Sequence, residues 1–286
     1  MSEPFVRPAR SGDSDDICRL LHGKMSAKIS LERWRRILNY TWAEDKPDLG
    51  RVVEDNGRIV GFVGMIYSER RIAGQREHIV NLSSWYLERR YRGCGLGVEL
   101  MRSATEDPLR SYHLLTSSAK TTGILAELGC RVMDAESFVW RRTRQPERSL
   151  PVVEDPAEIK RRVSAEHARL LDDHKGLPVT PRLLVDAGEY GLLLFSVVKK
   201  LDHTIFYDLL YLSNAGLFLT HAQDFVNQVL PAGKAVMAAD CRFLHGYDVS
   251  TERMSIAVPR FYKSTRVAPW HLDNLYSEIQ LMGLKL

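Results

Sequence analysis

Arg92-Gly93-Cys94-Gly95-Leu96-Gly97 sets three glycines at alternate positions behind an arginine, directly before residues with helical spacing. Such a run can bind an anion. Glycine has no Cβ to hold a phosphate away from the backbone, and a helix opening after it offers unpaired N–H groups and the positive end of its dipole. Arg89 and Arg90 add cationic charge to the same corner. Leu96, Leu100 and Met101 share one helical face while Glu99 and Arg102 point elsewhere, which predicts a helix. Upstream, Asn81–Leu87 (NLSSWYL) reads as a strand, so strand, glycine turn and helix together would make a phosphate cradle.

Two other glycine loops are excluded by residue type. A nucleotide-binding P-loop ends in Gly-Lys-Ser/Thr, whereas this run continues into Val98-Glu99. A dinucleotide fingerprint would need glycine at Val98 and an acidic residue at a second strand end; the first is absent and the second unconvincing. The run instead resembles the Arg/Gln-x-x-Gly-x-Gly/Ala loop of the GCN5-related N-acetyltransferases (GNAT). Two further signals carry that resemblance: Val6-Arg7-Pro8-Ala9 followed by Asp13–Leu21, like the family's opening strand and helix, and Ile124–Cys130 (ILAELGC), like its late helix and Leu-Gly-Phe corner with cysteine in place of phenylalanine.

The resemblance implies an α/β fold on a mixed sheet, with acetyl-CoA or another acyl-CoA as co-substrate and no metal. It implies that the amides of Arg92, Gly93, Cys94, Gly95, Leu96 and Gly97 hold the pyrophosphate, that a backbone N–H of Tyr86 or Leu87 polarises the thioester carbonyl, and that Lys120 stands where asparagine is frequent. Acyl transfer to an amine also needs a proton acceptor, because an ordinary primary amine has a pKa of about 10.4. The family's usual glutamate falls on Asn81 and its usual late tyrosine on Leu125, and neither can move a proton. Two readings stay open: an N-acyltransferase working through water ordered by Asn81, Ser83 and Ser84, with placement supplying roughly 7 to 11 kcal/mol, or a catalytically silent acyl-CoA-binding or sensing module.

The elements around the loop follow the same order. Residues 4–10 read as a strand, Ser14 or Asp13 caps a helix carrying Ile17, Leu20, Leu21 and Met25, and Leu31–Asn39 is a second helix with Trp34 on its apolar face. Arg51–Asp55 and Arg58–Tyr67 flank Asn56-Gly57, a type I′ hairpin signal. His78–Leu87 and His113–Thr116 read as strands, Thr121–Leu128 as a helix and Arg131–Arg141 as a closing strand.

At 286 residues the chain is long enough for two domains. From Arg142 to Pro156 it becomes rich in charge and proline, which predicts a boundary: a coenzyme-binding domain over 1–145, a linker over 146–158 and a second α/β domain over 159–286. In the latter, Glu158–His174 reads as one helix, Tyr190–Lys199 and His203–Leu212 as strands, Ala215–Leu230 as a helix, Ala235–Asp240 and Met254–Val258 as strands, and His271–Met282 as an amphipathic segment. This order is similar to that of the first half, which would make the second half a degenerate copy; its corner Leu212-Ser213-Asn214-Ala215-Gly216 has neither the arginine nor the glycine series. The second domain would cover the acceptor cleft or mediate a homodimer.

Composition excludes several other classes. A net charge of +4, with arginine clusters lacking interleaved aromatics, argues against nucleic acid. Four separated cysteines (Cys18, Cys94, Cys130, Cys241) make neither a zinc motif nor a disulfide framework, so a cytoplasmic setting is expected. No apolar run is long enough to cross a membrane. His167 and His174 read as helix-surface histidines, His113 as a satisfied buried residue, and Trp85 as either core or acceptor pocket. Tyr262, His271, Asp273, Tyr276 and Glu278 supply groups that could recognise an acceptor, which would be a small-molecule or protein amine.

Overall fold

The computed structural model describes residues 3–43, 46–143, 149–200, 202–284 and 286. The chain forms two compact units. The first comprises Met1–Val132, Arg260–Ala268 and Tyr276–Leu284; the second comprises Met133–Pro259, Pro269–Leu275 and Lys285–Leu286.

The first unit opens with β1 (Phe5–Pro8), α1 (Ser14–Leu20) and α2 (Leu31–Arg36). Ser30 starts α2 by accepting the Arg33 N–H, and Trp34 on its inner face is buried. β2 (Gly50–Asp55), β3 (Arg58–Ile72) and β4 (Gln75–Leu87) then form an antiparallel meander. Asn56 and Gly57 take φ of +49° and +77°, the type I′ geometry their identities favour. Ala73 and Gly74 do the same at +49° and +80°, so β3 and β4 run further than the strands predicted from sequence. α3 (Leu96–Ala104) buries Leu96, Leu100, Met101 and Ala104, and β5 (Arg110–Leu114) pairs in parallel with β4 before α4 (Thr122–Glu127). Val53, Val63, Leu82, Leu100, Tyr112 and Leu125 belong to the core, as does Cys130, a small apolar filler at the expected phenylalanine position.

β6 (Arg131–Arg141) was expected to close this half, but from Met133 onward it belongs to the second unit, where it pairs antiparallel with β11 (Ala235–Asp240). That unit also contains β7 (Val152–Val153), α5 (Pro156–Arg162), α6 (Ala165–Asp173), β8 (Thr180–Asp186), β9 (Glu189–Lys199), β10 (Ile205–Leu212), α7 (Ala215–Val229) and most of β12 (Glu252–Lys263). In the first unit the antiparallel neighbour of β5 is the end of β12, with Phe261 opposite Leu114 and Lys263 opposite Tyr112. The units are therefore not separated by a single linear break: strand pairing is chosen across long sequence separations that leave no local signal. Of the linker expected over 146–158, residues 146–148 lie outside the described residues, as does Arg144 of the arginine cluster at 141–144; Val152–Val153 is β7 and Pro156 opens α5.

Two further expectations are corrected in the second unit. Glu158–His174 is two helices, because Ser164 takes an extended conformation and caps α6 by accepting the His167 N–H. The α6 histidines are not idle surface groups: His167 bridges the Tyr190 and Tyr211 hydroxyls at 2.8 and 2.9 Å, and buried His174 hydrogen-bonds the Leu170 carbonyl. β10 pairs in parallel with β11 as β4 does with β5, and α7 follows β10 as α3 follows β4. The corner between β10 and α7 is closed by Asn214, whose side chain accepts the Leu217 N–H at 3.0 Å.

Candidate functional site

Parallel pairing of β4 with β5 stops at Asn81↔His113, although β4 continues to Leu87. Beyond Asn81, β4 has β3 on one side and no β5 partner on the other. A cavity of about 320 Å³ opens in this unit, lined by Ser83, Ser84 and Trp85 of β4, by Thr116–Ser118 after β5, and by Leu125 of α4.

Three consecutive strand residues would not ordinarily face one space. A bulge permits it here. Between the pairs Phe62↔Tyr86 and Gly64↔Ser83, β4 carries one residue more than β3, and Ser84 takes φ of +55°. Ser83 Oγ is buried with no hydrogen-bond partner among the described residues.

At the far end of β4 lies the glycine turn. Gly93 and Gly95 adopt φ of +87° and +89°, and a Cβ built on either would meet nothing within 4 Å. Glycine is required there for its backbone conformation, and the space beside it is open. Gly95 is the N-cap of α3, so the first-turn amides from Leu96 onward lack helical acceptors and face the turn. Exposed Arg92 is tied back to β4: its Nε donates to the Leu87 carbonyl at 2.8 Å and its guanidinium lies 5.4 Å from the Tyr86 ring centre. Cys94 is exposed, with its thiol 3.0 Å from the Tyr91 carbonyl. Leu87 is buried at the strand end, and exposed Lys120 sits in the turn before α4.

The cavity's remaining wall comes from the C-terminal segment. α8 (Glu278–Met282) places Glu278 and Met282 in the lining. Arg33 donates to the Met282 carbonyl, Trp42 meets Tyr276 edge-on, and Asn81 Oδ1 accepts the Glu278 N–H at 3.2 Å. The Asn81 Nδ2 donates to the His113 carbonyl at 3.5 Å, so this amide links β5 to the C-terminal segment. The Thr116 hydroxyl donates to Glu278 Oε1 at 2.6 Å, while Oε2 is buried with no hydrogen-bond partner among the described residues. Of the C-terminal residues singled out in the sequence, Glu278 reaches the cavity, and no local pattern distinguishes it from its neighbours.

Burial pushes the Glu278 carboxyl up to about 7, against the opposing pull of the Thr116 hydroxyl, the Asn81 side chain and the Arg260 guanidinium. Arg260 lies at the end of β12, His113 stands in register with Asn81 on β5, and Arg33 binds the last turn of α8. The folded state thus holds this proton more tightly than the unfolded chain, whose carboxyl titrates near 4.5. Stability from this group is complete below that value and is lost as pH rises through 7. Glu278→Gln, neutral throughout, should match the parent near pH 4 and exceed it by about 3 kcal/mol at pH 8. Thermal melts across pH read this directly, and equal melting at pH 8 would remove the argument for a costly buried charge.

A larger, more open depression in the second unit, of about 820 Å³, is lined by Arg141, Arg142, Lys200 and Lys234. Among the described residues that line it, no polar side chain is buried. Among the described residues no group of three or more His, Cys, Asp or Glu could hold a metal ion. No described helix is long and apolar enough to cross a membrane.

The segment that carries the meander, the glycine turn, α3 and β5 matches the model of the "Acetyltransferase (GNAT) family". The match covers residues 15–116, about a third of the chain. No curated protein matches the sequence. Solved structures resemble the chain well beyond the residues matched by that model. A GCN5-related N-acetyltransferase from Anabaena variabilis is 11% identical, with a TM-score of 0.59 over 91% of this chain and 72% of that one. One from Kribbella flavida is 13% identical, with 0.59 over 92% and 72%. A protein of unknown function from Enterococcus faecalis, titled a probable N-acyltransferase, is 11% identical, with 0.58 over 94% and 74%. At such identities the likeness is one of fold: a mixed α/β GNAT architecture covering most of the chain.

Proposed function

We propose that the protein is an acyltransferase that moves an acetyl or other acyl group from acyl-CoA to an amine by direct attack on the thioester. The observation that carries this reading is the glycine turn: left-handed Gly93 and Gly95 leave open space at the amino end of α3, within the residues matched by the GNAT model.

The pyrophosphate of the coenzyme would be held by the amides of Arg92–Gly97, with the dipole of α3 behind them. From Ser83 to Leu87, β4 advances about 13 Å at ordinary strand rise. A phosphate on the turn and a thioester at the cavity therefore need an extended linker between them, which the pantetheine arm supplies. Its amides would pair with the β4 edge that β5 leaves free, in the manner of an added strand. A backbone N–H at Tyr86 or Leu87 would hold the thioester oxygen as negative charge develops. Ser83, whose buried hydroxyl lacks a partner, would bind the acyl carbonyl, the amine or an intervening water. The second unit would bind no coenzyme, since Asn214 caps α7 where the first unit has an open glycine turn.

Incubation with acetyl-CoA and a panel of primary amines (lysine, spermidine, glucosamine, tyramine) tests the proposal. The expected result is thiol release that depends on one class of amine, with an acetylated product of matching mass. Acetyl-CoA binding without release for any amine would favour the silent binding module instead.

A further inference from the structure

We propose that Glu278, delivered by the C-terminal segment, is the proton acceptor for the attacking amine. The inference rests on the acyl-transfer reading and supplies the base that β4 itself lacks.

Glu278 is 1% exposed, and its side chain lines the cavity shared with Ser83 and Ser84. Only one of its oxygens is satisfied, by the Thr116 hydroxyl; the other, Oε2, has no hydrogen-bond partner among the described residues. A purely structural carboxylate would be expected to use both, because an unsatisfied buried acceptor is costly. The backbone explains the placement: Asn81 Oδ1 accepts the N–H of Glu278 itself, so the carboxylate is pinned to the last β4 residue paired with β5, at the mouth of the gap between the strands. Its raised proton affinity suits a base working near neutral pH.

An amine arriving as ammonium first loses a proton to solvent. The neutral amine attacks the thioester carbonyl carbon, the C–N bond forms, and the remaining excess proton on nitrogen passes to Glu278 Oε2, directly or through a water at Ser83. The C–S bond breaks with its electron pair on sulfur, and the thiolate leaves to be protonated as free coenzyme A. Glu278 then returns its proton to solvent.

The test compares wild type, Glu278→Gln and Thr116→Val, using acetyl-CoA with the amine panel above. Wild-type kcat/KM should rise with pH through a limb near 7, well below the amine's own titration. Glu278→Gln should bind acetyl-CoA within about threefold of wild type, lose 10²- to 10⁴-fold in kcat/KM, and lose the limb. Thr116→Val removes a hydrogen bond that favours the charged carboxyl, so it should move the limb to higher pH. This variant carries the test should Glu278→Gln fail to fold. Wild-type turnover in Glu278→Gln, or a limb unmoved in Thr116→Val, overturns the assignment while leaving acyl transfer standing. A wild type that turns over no amine overturns both.

Discussion

Gly95→Val is expected to weaken acetyl-CoA binding by about 100-fold or more, roughly 2.7 kcal/mol, while the fold is retained. The residue sits at φ of +89° as N-cap of α3, and the space beside it is empty. A β-branched side chain there meets two obstacles. The left-handed conformation is a strained one for it, at a cost on the order of 1–3 kcal/mol, and its methyl groups would occupy the space proposed for the pyrophosphate. Neither obstacle touches the core, because no atom lies within 4 Å of the added Cβ. Arg92→Glu should weaken binding comparably by another route, placing an anion beside the proposed phosphates and removing the Nε bond to the Leu87 carbonyl. Calorimetric titration reads both, with circular dichroism confirming the fold. Unchanged affinity in both variants would remove the turn from the coenzyme site.

The second large effect is expected on stability. Arg242→Met should destabilise the second unit by about 3–5 kcal/mol. Arg242 is 6% exposed and donates to Asp134, to Asp240 at 2.8 Å, to Asn274 Oδ1 at 2.5 Å and to the Leu272 carbonyl at 2.8 Å. It thereby ties β6, β11 and the 269–275 segment together. The two buried carboxylates keep this guanidinium charged in spite of its burial. Burial already pushes the Asp134 carboxyl up, against the pull of Arg242. Without the cation, Asp134 loses the guanidinium that opposes its burial, while the neighbouring Asp240 charge still disfavours its ionised form. The deficit should therefore be greatest at neutral pH and shrink as pH falls and the carboxyls are neutralised. Denaturant titrations at pH 5 and 7.5 measure it. A loss below 1 kcal/mol at both would mean that the network is energetically idle.

What could be read from the sequence was what is local. The glycine turn, the Asn56-Gly57 hairpin and the face of α3 are each specified within about ten residues, by backbone sterics or by helical periodicity. The turn at Ala73-Gly74 was missed because alanine carries no preference for a left-handed conformation, so strand length was underestimated at both β3 and β4. The break between α5 and α6 hinges on one serine hydroxyl whose capping competes with continued helix. The partition of β6 and β12 between the units was not legible at all, since an apolar strand pattern does not name its neighbour. For the candidate site, the glycine turn and Ser83 were visible, but the bulge that brings Ser83, Ser84 and Trp85 to one cavity depends on register with β3. Asn81 was read as a solvent-ordering group; that its Oδ1 accepts the Glu278 N–H at the start of α8 carried no sequence signal. Glu278 lies 162 residues from Thr116 and 197 from Asn81, and only the fold makes them neighbours.

A calorimetric titration of the intact protein with acetyl-CoA, run beside Gly95→Val, tests the central claim most directly. The account predicts saturable binding of one equivalent per chain to the wild type and none to the variant. Absence of binding to the wild type, or equal binding to both, would contradict it.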